Sequence, residues 1–142
     1  MSRQPIPATD RVHAALMLVV AAGTVTYWLA YFFAGVVPAA DAAVYTGFEN
    51  AFPLADGYMT AAYVAAAVLL LRGRALAVPV GIAAGSAMVF LGAMDTLFNL
   101  EHGKYADMRP EMAIETAINV VCFAFGPATM VRLWRIRGRL AG

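Results

Sequence analysis

Charge is scarce in this chain. Only 13% of its 142 residues are Asp, Glu, Lys or Arg, against 62% hydrophobic. A soluble domain carries about a quarter charged residues and is about half apolar, and one of this length lacks the interior to hide so much Ala, Val and Leu. Cysteine and histidine are scarcer still. The one cysteine, Cys122, excludes an intrachain disulfide, paired-thiol redox chemistry and zinc-finger spacing. The two histidines, His13 and His102, are too few for a histidine-rich di-iron oxygenase site. There is no Gly-rich phosphate loop, no nucleophile elbow, no Ser-His-Asp pattern, no internal repeat and no low-complexity linker.

What the chain does have is apolar runs. Four of them, about 11–33, 51–71, 75–100 and 112–134, each approach the roughly 20 residues that a bilayer crossing requires. The apolar core of the first exceeds the roughly 7–15 residues of a signal-peptide core, so it reads as a retained span. The expected fold is an all-α integral membrane domain over 1–142, a four-transmembrane-helix antiparallel bundle.

The basic residues give it a direction. Arg3 and Arg11 precede the first run, Arg72 and Arg74 separate the second from the third, and Arg132, Arg135, Arg137 and Arg139 follow the fourth. With four crossings these lie on one side, leaving Lys104 and Arg109 on the other. The positive-inside rule then places both termini in the cytoplasm of a multi-pass protein of the cell (inner or plasma) membrane. The tail "RLWRIRGRL" reads as an anchor touching anionic lipid. The acids segregate oppositely: Asp10 alone is cytoplasmic, and Asp41, Glu49, Asp56, Asp95, Glu101, Asp107, Glu111 and Glu115 fall outside or in the outer part of the spans. Acids contribute little to topology, so this arrangement calls for another cause.

"LRGRA" predicts a tight hairpin between the second and third spans. The first outer connection, "GVVPAADAAVYTGFEN", has room for a short interfacial helix. Pro110 suits the first turn of the fourth helix. Trp28, Tyr45, Tyr105 and Trp134 read as an interfacial aromatic belt, and "GIAAGSA" has the Gly-x-x-x-Gly spacing of closely packed membrane helices.

Positions three, four, seven and eleven apart share a helix face. On that basis Glu49, Asp56, Thr60 and Tyr63 form one stripe, and Met88, Gly92, Asp95, Asn99 and His102 a second. Glu115, Asn119, Cys122, Gly126 and Thr129 form a third, and Thr24, Tyr27 and Tyr31 a milder fourth. Asp56, Asp95 and Glu115 each lie roughly 6–9 Å in from the outer boundary at the helical rise per residue. The expectation is a polar pocket in the outer half, with these three carboxylates as its chemical groups. Glu49, Tyr27, Tyr63, Asn99, Asn119 and His102 are its candidate ligand-binding residues.

A carboxylate near the bilayer centre costs about 2.5–3.5 kcal/mol on insertion scales, so three together require compensation. Protons, a divalent metal, a basic side chain (His102, Lys104 or Arg109) or a cationic ligand all satisfy that need, and no motif selects among them. No cofactor is specified. Three functions fit: binding of a small lipophilic or cationic molecule, with or without an accessory role; acid–base catalysis on a lipophilic substrate by an isomerase, cyclase or hydrolase; and proton or cation transport. Binding is the leading expectation. The expected partners are the lipid bilayer, that small molecule, and further copies of the chain or a larger membrane complex. Nucleic acid is not among them.

Overall fold

A computed structural model describes residues 5–34, 47–106 and 110–141. Asp41, Tyr45, Asp107, Arg109, Arg3 and most of the first outer connection lie outside the described residues. The chain is all-helical there: α1 spans Ala8–Ala34, α2 Phe52–Leu71, α3 Ala77–Glu101 and α4 Pro110–Ala141. A helical turn at 47–49 precedes α2, and a single 3-10 turn, Lys104–Ala106, follows α3.

All four helices are long and apolar enough to cross a membrane. Their outer surface agrees: Phe33 (84% exposed), Leu54 (87%), Phe90, Leu100 and Val120 all face outward. Apolar residues on every side of a helix suit a bilayer, which takes them up without loss, whereas water does not.

The boundaries follow from local chemistry. Pro110 opens α4, and a proline also stands in the first turn of α2, where a missing N–H leaves no hydrogen bond unmade. The hairpin between α2 and α3 turns at Gly73 (φ 63°), where the Arg74 N–H reaches the Leu69 carbonyl (2.9 Å) and the Gly73 N–H the Leu70 carbonyl (3.0 Å). That is the Schellman closure, and it needs a residue at ease in the left-handed region. Gly103 (φ 62°) ends α3 in a related way, its N–H meeting the Leu100 carbonyl.

Consecutive helices run antiparallel, and three seams, α1–α2, α2–α3 and α3–α4, hold them together. The α3–α4 seam is the tightest. A Cβ at Gly85 would stand 2.7 Å from the Gly126 carbonyl oxygen, and one at Gly126 would stand 2.8 Å from the Gly85 oxygen. At Gly81 a Cβ would collide with Leu133 Cδ1 and at Gly92 with Cys122 Cβ. The Gly-x-x-x-Gly spacing is thus spent within the chain, on packing α3 against α4.

Between α1 and α4 no comparable seam exists among the described residues. The two helices are joined at the arginine-rich end, where Asp10 (1% exposed) accepts hydrogen bonds from Arg132 (2.8 Å) and Arg139. One turn on, His13 lies against Phe125 at 5.4 Å between ring centroids. The fourth apolar run ends near Trp134, and helix α4 continues past it to Ala141. Arg132 and Arg139, seven residues apart and so on one face, turn inward to a carboxylate that needs them. Arg135 and Arg137 stay exposed, with the Arg137 guanidinium 4.0 Å over the Trp134 ring.

Candidate functional site

Because α1 and α4 diverge away from the Asp10 clasp, the opposite half of the bundle holds a cavity of about 500 Å³. Each helix gives it one face at helical spacing. From α1 come Val19, Val20, Gly23, Thr24, Tyr27 and Trp28; from α2, Phe52, Asp56 and Met59, with Glu49 from the preceding turn. Helix α3 supplies Met88, Leu91, Gly92 and Asp95, and α4 supplies Ile114, Glu115, Ala117, Ile118, Asn119, Val121 and Cys122. The walls are apolar, and the acids gather toward one end. Val19, Ile114, Ile118 and Val121, which flank the gap between α1 and α4, are also exposed on the outer surface. The cavity therefore communicates with the apolar exterior of the bundle.

Most of the described hydrogen-bond donors that hold the acids come from neighbouring helices. Trp28 Nε1 donates to Asp56 Oδ2 (2.8 Å) and the Tyr27 hydroxyl to Glu49 Oε2 (3.2 Å). Asn119 Nδ2 donates to Asp95 Oδ2 (2.7 Å) and lies 3.1 Å from the Tyr105 hydroxyl. Asn99 is fully buried behind the wall, and its Nδ2 bridges Asp95 (3.2 Å) and Glu115 (3.3 Å). Glu49 is fixed through an aromatic stack. Phe48 lies face to face with Phe98 (3.9 Å, 8°), and Phe98 stacks on His102 (4.1 Å), whose Nδ1 lies 2.9 Å from the Phe98 carbonyl oxygen.

Of the residues singled out in the sequence, Asp56, Asp95, Glu115, Glu49, Tyr27 and Asn119 meet in this cavity. Asn99 stands behind it as a brace. Two lie away from it. Tyr63 shares the face of Asp56 but sits below the floor, fully buried, with its hydroxyl donating to Met88 Sδ (3.1 Å). His102 is exposed just past the end of α3, does not line the cavity, and stacks on Phe98. Thr60, on the same stripe by arithmetic, is rotated toward a second groove of about 260 Å³ between α1 and α2.

Trp28 and Tyr105, which composition alone assigns to an aromatic belt, each turn a polar atom inward to the acids or their partners. For Trp28 the signal was present: Thr24, Tyr27, Trp28 and Tyr31 are spaced three, four and seven apart, one complete helix face. Among the described residues no three His, Cys, Asp or Glu side chains are grouped closely enough to hold a metal ion. No protein-family model, curated protein or solved structure matches the chain.

Proposed function

We propose that this is a four-span membrane protein with both termini in the cytoplasm, whose cavity binds a small lipophilic molecule reached from the bilayer. The observation that carries this reading is the cavity itself: about 500 Å³, walled by all four helices, apolar along its length and polar at one end. Small-molecule sites have this character, at roughly 300–1,000 Å³ with a few placed polar groups in apolar walls. The weak side of the bundle, between α1 and α4, gives a membrane-dissolved molecule a path that does not cross water.

The direct test is to fill the cavity without disturbing its frame. Gly23 lines it, and a Cβ there meets nothing within 4 Å. Gly23→Phe is expected to leave expression, helicity and thermal midpoint near those of the wild type while removing any lipophilic molecule that co-purifies, read by native mass spectrometry. Equal occupancy in both proteins would end the proposal. Gly57→Phe is the matched control, because Gly57 has the same free space but lines the second groove.

The orientation rests on arginine placement and is tested separately. Green fluorescent protein fused after Gly142 is expected to fluoresce, and alkaline phosphatase at the same point to be inactive; the reverse pair of results would invert the topology.

A further inference from the structure

The cavity presents acceptors and few donors to whatever occupies it, and that restricts the chemistry of the occupant. An ionised carboxylate has about four acceptor positions on two oxygens. Asp56 receives one hydrogen bond, from Trp28, on Oδ2. Asp95 receives two, from Asn99 and Asn119, both on Oδ2. The second oxygen of each has no protein donor among the described residues, and neither is sealed among the buried unpartnered atoms. Both residues line the cavity. Asn119, only 5% exposed, stands in the same wall, and its carbonyl oxygen lacks a partner among the described residues. Three acceptors, one each from α2, α3 and α4, thus await a donor. The donors already in place on Asp56 and Asp95 are all neutral and leave their negative charge unbalanced. Beside them Tyr27 and Trp28, edge to face at 5.2 Å, form an aromatic wall of the kind that attracts cations.

Resting on the reading of the cavity as a lipophilic site, we propose that its occupant is a cationic amphiphile, a lipophilic amine. Its ammonium N–H groups bond the free oxygens of Asp56 and Asp95 beside Trp28, and its apolar body lies along Met59, Met88 and Leu91. An alcohol of the same length fills the same volume but brings one neutral donor; a fatty acid brings a charge of the wrong sign.

The experiment uses the full chain in nanodiscs of zwitterionic lipid, with Trp134→Phe so that Trp28 is the sole tryptophan. The probes are nitroxide-labelled dodecylamine, dodecanol and dodecanoate, and binding is the quenching of Trp28 in excess of that in the Gly23→Phe protein. Hydrogen bonds to charged groups predict that the amine binds at least about tenfold more tightly than the alcohol, with the carboxylate weakest. Asp56→Asn and Asp95→Asn, tested singly, are expected to erase most of that preference by weakening amine binding, with far-ultraviolet circular dichroism reporting that the fold is intact. Gly57→Phe is expected to leave the ratio as in the wild type. Equal binding of amine and alcohol in the wild type, both lost in Gly23→Phe, would overturn the amine assignment and leave the cavity reading standing. Quenching by all three probes that Gly23→Phe does not reduce would overturn both.

Discussion

Replacing Arg132 and Arg139 together by methionine is expected to cost about 3–5 kcal/mol of stability, the range for stripping the partners from a buried charge. Asp10 is 1% exposed, and its described partners are these two guanidinium groups. Without them its carboxylate remains buried with no described cation beside it. The reverse change is milder. The side chains of Arg132 and Arg139 are 29% and 45% exposed, so after Asp10→Asn they extend to water, and one amide oxygen still accepts a hydrogen bond. That loss is expected to be about 1 kcal/mol. Adding Asp10→Leu to the double arginine variant should recover most of its deficit, because an apolar trio of similar volume carries no desolvation penalty. Unfolding by sodium dodecyl sulfate in mixed micelles, followed by far-ultraviolet circular dichroism, measures all three. Equal losses for the arginine pair and for Asp10→Asn would show that the carboxylate is less enclosed than its geometry indicates.

The second large effect is expected at the α3–α4 seam. Gly126→Ala places a methyl group 2.8 Å from both the Gly85 carbonyl oxygen and Val89 Cγ2. A side chain rotates away from such a contact; a backbone oxygen in mid-helix does not. Overpacking of a filled interior costs about 1–3 kcal/mol, occasionally more, and Gly126→Ala should fall in the upper part of that range. Gly126→Leu should fail to yield a monodisperse protein. Gly23→Ala, where the added methyl meets open space, serves as the comparison and should change stability by well under half as much. The same micelle titration distinguishes them. Comparable behaviour of the two alanine variants would mean that α3 and α4 separate at little cost, and the cavity's rigid wall would lose its basis.

The four helices were legible because each is an apolar run of sufficient length, a property of neighbouring residues. Gly81 and Gly85 were legible as packing residues for the same reason. The clasp was not, since Asp10 and Arg139 are 129 positions apart and nothing local to either names the other. The polar stripes identified which side chains point inward. They did not tell how far the cavity extends, because its floor is set by where Met59 and Met88 fill the space above Tyr63. Helical periodicity gives an angle around the axis and leaves depth to packing. This is why Tyr63, at the right angle, lies outside the cavity. Trp28 and Tyr105 show the converse: composition assigned them to a membrane boundary, and their partners, Asp56 and Asn119, stand on other helices.

The clasp also bears on the order in which the protein is made. Asp10 lies on α1, which is synthesised before α4, and Arg132 and Arg139 follow it by 122 and 129 residues. Until α4 is synthesised, α1 waits with its carboxylate unanswered by either arginine. A translation product interrupted before α4 therefore carries a bare acid where the folded protein has a closed clasp.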